Sequence, residues 1–383
     1  MLKSVLSLFL VSVATLCAVA TEPVSPTVAD GLQYESEGIA VSLPTADEPR
    51  VETFNRETIL AAKQYLEQGA KAWVRERGCI NCHTTGPYMS EMPGLARELG
   101  PPSVEIRNNF KDDVPQVHAE VSEVSRGKLR YMPRSYYAVW RSLGLAEWDK
   151  HVTGRLSSAT ERSIRDMFAR QSDNGSFVTY GEVEIPHITT DFELTLQAAR
   201  AVTSAPNWFK EVEDKELLAK ADKMKRWLRD ARPKNDFDRV LRLQLDSYFP
   251  DLVSDEERRS AIELLSSKQH TDGGWCIRDM SALEDWHYEI SDYVQDLVSN
   301  LPDAAAPESD AYMTALAVVL LRQSGIDADD ARVKRGIDWL KREQRISGRW
   351  WMHSLYRGNY HYTTYIATCQ ALKALDLCGE LGE

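Results

Sequence analysis

Three stretches of the chain share one signature: a helix-like segment, then Gln, a short polar gap, Gly, one residue and an aromatic. They are Gln171…Gly175-Ser176-Phe177, Gln269…Gly273-Gly274-Trp275 and Gln344…Gly348-Arg349-Trp350. The segments before them carry helix-start signals: Ser158 with Glu161, Ser254 with Glu257, and Asp327 ahead of Trp339. After each comes a more apolar, Ala-rich segment with apolar residues three and four apart, at 191–202, 310–321 and 362–377. Weaker pairs are read at 56–77 with 88–98, 115–128 with 134–144, and 215–230 with 236–248. Units of this kind cannot bury their apolar faces singly, so they stack or close into a ring. With β signals nearly absent, the pattern predicts an all-α fold, an α/α toroid of about six helix pairs with a polar outer and an apolar inner ring.

Composition removes other classes. Formal charge is 46 minus 58, or −12, which argues against a nucleic-acid binder held by a basic face. Lys3, the apolar run Val5 to Val13 and Ala18-Val19-Ala20 read as a secretory signal over 1–20, so the expected location is periplasmic or secreted. No later run is apolar enough to span a membrane. Residues 21–52, with Pro23, Pro26, Pro44 and Pro49, read as a flexible lead, 53–378 as the toroid and 379–383 as a tail.

The fullest repeat, Lys334-Arg335-Gly336-Ile337-Asp338-Trp339-Leu340 followed by Gln344…Gly348-Arg349-Trp350, resembles the QW motif of squalene–hopene cyclases and related terpenoid cyclases. The resemblance spans about residues 55–378, with one complete copy and the others partial. It implies an α/α toroid in which Gln and Trp tie a helix end to its neighbour. In that family an Asp-x-Asp-Asp cluster opening an inner helix protonates the substrate. The nearest counterpart is Asp191-Phe192-Glu193-Leu194-Thr195, which keeps two acids while Leu194 replaces the third. Asp191 and Glu193 are therefore the catalytic candidates of a cyclase-like alternative taking an apolar small-molecule ligand. In the competing reading, Asp191 and Asp310 merely cap their helices. Fold resemblance does not supply the chemistry.

The sharpest motif is Cys79-Ile80-Asn81-Cys82-His83. C-x-x-C-H is the attachment site of a c-type haem: two thiols form thioethers to the vinyl groups and the adjacent His ligates iron. At this composition a chance match is on the order of one in five hundred. Export agrees, since c-haem is attached outside the cytoplasm. The expected cofactor is thus haem c held by Cys79, Cys82 and His83, in an electron-transfer or other redox role with an unassigned partner. Alternatives are a redox-active Cys79–Cys82 pair, which lacks a surrounding βαβ pattern, and a zinc site, which lacks two further ligands. Met132, Met92 and His118 are the candidates for the distal iron position; both Met residues precede Pro. Cys369 and Cys378 lie about 13 Å apart along one apparent helix and cannot bridge each other.

Overall fold

The structure, a computed structural model, describes residues 31–112, 134–178, 190–282, 307–353 and 362–382. Strands β1 (Leu32–Ser36) and β2 (Ile39–Ser42) pair antiparallel. The helices are α1 (Arg56–Arg77), α2 (Thr85–Glu91), α3 (Ala96–Leu99), α4 (Val104–Lys111), α5 (Arg134–Trp148), α6 (Ser158–Ala169) and α7 (Asp191–Ser204). They continue with α8 (Trp208–Glu211), α9 (Lys215–Asp230), α10 (Asp236–Tyr248), α11 (Asp255–Ser267), α12 (Ala311–Gln323), α13 (Ala331–Glu343) and α14 (Tyr362–Leu377).

Six of these form a closed inner ring. Helices α2, α5, α7, α10, α12 and α14 each pack on the next, and α14 packs back on α2. Outside them lie α1, α4, α6, α9, α11 and α13. Burial follows the sequence: α12 is buried continuously from Ala311 to Leu321, whereas α9 buries only Leu217, Ala221, Met224 and Leu228, one stripe at helical spacing. The fold is the expected all-α toroid.

The repeated Gln-Gly-aromatic turn is the joint of this ring. Gln171 Nε2 donates to Gly175 O and to Lys220 O of the next outer helix, at 2.9 and 3.1 Å. Gln269 does the same to Gly273 O and Arg332 O, at 2.8 and 2.9 Å. Gln344 donates to Gly348 O and to Thr58 O of α1, at 3.0 and 2.9 Å, which joins the last repeat to the first outer helix and closes the ring. The aromatic residue in turn donates its backbone N–H to an inner-helix threonine: Phe177 to Thr195, Trp275 to Thr314, Trp350 to Thr368. Gly348 has φ +85°, and a Cβ there would lie 2.2 Å from Ala62 N, so only glycine permits this approach.

Several local expectations shift. Ser254 and Glu257 form the expected capping box, but the caps of α6 and α13 are Ser157 and Asp330, not Ser158 and Asp327. The segment expected at 88–98 is two helices, α2 and α3, interrupted at Met92-Pro93-Gly94. Residues 115–128 lie outside the described residues. Within the stretch expected to be a flexible lead, residues 31–50 are ordered. Their hairpin buries Tyr34 and Val41, Tyr34 meets Tyr365 edge-on at 5.8 Å, and Glu48 pairs with Arg349 at 3.0 Å. A few alternating apolar residues docked on the ring outweigh the local Pro and Ser content.

Candidate functional site

The C-x-x-C-H segment is the connection from α1 to α2, the place that the Gln-Gly-aromatic turn occupies before α7, α12 and α14. Gly78, at φ 63°, stops α1. Asn81 Oδ1 then accepts the backbone N–H groups of His83, Thr84 and Thr85, at 3.2, 2.7 and 3.1 Å. This one amide supplies the acceptor that the first turn of α2 needs, so Asn81 sets the loop that presents both thiols. His83 Nδ1 lies 3.0 Å from Thr84 Oγ1, which meets Tyr34 OH at 3.1 Å. The imidazole stacks on Tyr362 with centroids 4.2 Å apart and meets Trp73 edge-on at 4.8 Å.

Cys79 and Cys82 are free thiols. Cys79 Sγ accepts from Trp73 Nε1 at 3.2 Å. Cys82 is buried and faces the ring interior. Burial pushes the Cys82 thiol up to about 12, and raises Cys79 as well despite the Trp73 hydrogen bond. The donor set fits a c-type haem: two unbridged thiols flank a shaped turn, and the next residue is an imidazole whose Nδ1 is engaged by a hydroxyl. That second contact orients the ring. Met92 is buried and caps the C-terminal end of α2. Met132 and His118 lie outside the described residues. Among the described residues no group of three or more His, Cys, Asp or Glu is clustered to hold a bare metal ion.

Beneath this rim lies the central cavity. Trp140 and Gln197 are each the seventh residue of α5 and α7, and Gln244 and Gln370 each the ninth of α10 and α14; all four line it. All four stand near the middle of their helices, while Cys82, Glu193 and Tyr312, at or just before the first turns of α2, α7 and α12, line the same cavity. The cavity offers about 40 Å³ to the centres of water-sized molecules and about 500 Å³ when its open mouth is counted. Its wall mixes Pro87, Leu241, Leu316 and Ile366 with Glu193, Tyr312 and three glutamines. Trp140 Nε1, Gln197 Oε1 and Gln370 Oε1 are shielded from solvent and have no hydrogen-bonding partner among the described residues. Each such atom costs about 1–3 kcal/mol, so three around one cavity is a costly arrangement for a purely structural wall.

The floor is ionic. Arg200 donates to Glu91 at 2.6 Å and to Glu147 at 2.7 Å, and its other amino group reaches Ser90 O at 2.7 Å. Lys373 pairs with Glu91 at 2.9 Å, while Glu147 also takes Ser204 Oγ at 2.8 Å and meets His151 at 3.2 Å. Burial alone would raise both carboxyls, but the Arg200 guanidinium outweighs it and holds Glu91 and Glu147 below the usual range. Burial lowers the Lys373 ammonium, and the nearby Arg200 adds to that.

Of the cyclase-type acids, Glu193 is buried and lines the cavity, while Asp191 sits at the first turn of α7 and does not cap it. Thr190 is the cap, accepting from Glu193 N at 3.1 Å. Asp310 does cap its helix, accepting from Met313 N at 2.7 Å and Ile277 N at 2.6 Å. Burial pushes its carboxyl up to about 6 against the pull of those two N–H groups. Trp140, Gln197, Arg200, Tyr312 and Gln370 were not singled out from sequence. The available signal was a polar residue interrupting an apolar, Ala-rich helix, as Gln197 and Arg200 do in α7.

The inner and outer helices, joined by the Gln-Gly-aromatic turns, form an α/α toroid. Comparison with protein families agrees over part of the chain: residues 250–380 match the squalene-hopene cyclase C-terminal domain. That segment holds α11 to α14 and two of the three Gln-Gly-aromatic turns, but neither Cys79–His83 nor Asp191–Glu193. No curated protein matches the chain. Among the described residues no helix is long and apolar enough to cross a membrane.

Proposed function

We propose that this protein is an exported toroid carrying one covalently attached c-type haem at Cys79, Cys82 and His83, with a redox role such as electron transfer. One observation carries the reading: a complete C-x-x-C-H stands at the entry to inner helix α2, where Gly78 stops α1, Asn81 holds the loop and Cys82 lines the cavity. Bound there, haem supplies one-electron redox chemistry. The chain's own residues do the positioning. Asn81 shapes the loop, Thr84 and Tyr34 orient the His83 imidazole, and Trp73 and Tyr362 pack against it. The reading requires export, which Lys3 and the apolar run at 5–13 predict. The full chain, exported together with haem-maturation proteins, should give a haem-staining band on a denaturing gel and a reduced c-type spectrum. A colourless, unstained product would overturn the proposal.

A second reading rests on Glu193, a buried carboxyl on the cavity wall at the position the resemblance gives to a proton donor. It needs an isoprenoid substrate, and Glu193→Gln should then abolish turnover. Alkene protonation calls for a strong, water-excluded acid. The glutamine-rich wall and Leu194 at the third acid position both weigh against that chemistry.

A further inference from the structure

We infer that Thr84 and Tyr34 form a buried hydroxyl relay that sets how strongly the His83 imidazole donates to iron, and with it the reduction potential. This assignment rests on haem c at Cys79, Cys82 and His83, and gives the N-terminal hairpin a part in tuning that site. Three polar atoms stand in line: His83 Nδ1 lies 3.0 Å from Thr84 Oγ1, which lies 3.1 Å from the Tyr34 hydroxyl, 50 positions away in the chain. Thr84 is fully enclosed and Tyr34 nearly so, so water cannot stand in for either hydroxyl. The Tyr34 hydroxyl in turn meets the side chain of Gln33, its neighbour on β1. Room for Tyr34 is made by α1. Gly69 interrupts that helix, at a cost of about 1 kcal/mol relative to Ala, and a Cβ there would lie 2.9 Å from ring carbons of Tyr34 and Tyr365. The Tyr34 ring reaches Thr84 through a gap that a side chain at 69 would close.

Ligation fixes the direction of the relay. An imidazole nitrogen that binds iron carries no proton, and Nδ1 is the nitrogen taken by Thr84, so Nε2 is left for iron and Nδ1 keeps its hydrogen. Nδ1–H then donates to Thr84 Oγ1, and the single Thr84 hydroxyl hydrogen turns to Tyr34. Burial pushes the Tyr34 hydroxyl well above its ordinary range, so it stays a neutral phenol and the relay ends on an uncharged group. Each link polarises the next. The pull on the Nδ1 hydrogen makes Nε2 the stronger donor, which favours ferric over ferrous iron and lowers the potential.

The test is an optical redox titration of the haem-loaded full chain, run on the parent, Thr84→Val, Thr84→Ser and Tyr34→Phe after a haem-stained denaturing gel has established loading of each. Thr84→Val should shift the ferric–ferrous equilibrium toward the ferrous form by about threefold or more, tenfold being about 59 mV for one electron. Tyr34→Phe should shift it the same way by less, and Thr84→Ser, which keeps the hydroxyl, should hold the parent value. A role confined to packing would lower the melting temperature of the variants without moving the potential. Loaded Thr84→Val and Tyr34→Phe proteins with the parent potential, or with a shift toward the ferric form, would overturn the relay and leave the haem reading standing. If Thr84→Val does not fold, Tyr34→Phe decides alone. An unstained parent would overturn the haem reading, and the relay with it.

Discussion

Replacing Arg200 by Met removes the cation that holds two buried carboxylates at the floor of the ring. Both partners are almost fully enclosed, with Glu91 and Glu147 side chains 5% and 4% exposed, so bulk water cannot take over the compensation. Stranding one member of a buried ion pair costs about 3–5 kcal/mol. Lys373 still reaches Glu91 and His151 still reaches Glu147, which places the expected loss near the middle, about 4 kcal/mol. At the specific unfolding entropy of globular proteins, a chain this long should melt roughly 5 °C lower. The loss must also carry a pH signature. In the parent both carboxyls sit below their ordinary 4.5, so they contribute stability above that pH that is lost as pH falls through their folded values. In the variant burial is no longer outweighed, the carboxyls rise, and protonation relieves them. The gap between parent and variant should therefore be widest near pH 7.5 and narrow below about pH 4.5. Thermal and urea unfolding at both pH values measure it. A loss under about 1 kcal/mol, or one equal at both pH values, would refute the ionic account of the floor.

Other consequences concern the joint and the rim. Gly348→Ala puts a Cβ 2.2 Å from Ala62 N at φ +85°, where the last repeat meets α1; a loss of about 3 kcal/mol or more is expected by thermal melting. Asp310 is raised to about 6, so its contribution to stability is present below its ordinary 3.8 and is lost as pH rises through about 6. Asp310→Asn should flatten that part of the stability–pH curve, which unfolding at pH 4 and pH 7 would detect. In haem-free protein at pH 8, Cys79 should alkylate faster than the more deeply buried Cys82, as peptide mass mapping after a timed pulse would show.

Much of the ring was legible because its joint recurs. Gln171, Gln269 and Gln344 mark the same carbonyl-bridging turn, and the outer-polar, inner-apolar alternation located the helix pairs. Thr195, Thr314 and Thr368 escaped notice although each stands in the first two turns of its inner helix; a threonine in a helix carries no distinctive signal until its hydroxyl meets the turn. The hairpin at 32–42 was hidden by Pro- and Ser-rich flanks, and only contact with Tyr365 and Tyr65 makes its alternation meaningful. The rim motif was legible because Cys79, Cys82 and His83 are contiguous. The cavity was not: Trp140, Gln197 and Gln370 are scattered over 230 positions, and only ring closure brings them around one cavity.

The intact mass of the mature chain, exported under haem-maturation conditions beside a Cys79→Ser, Cys82→Ser double variant, speaks most directly to the rim. The account predicts one added haem on the parent that survives denaturation and none on the variant. A parent mass equal to the bare chain, or two hydrogens lighter from a Cys79–Cys82 bridge, would contradict it.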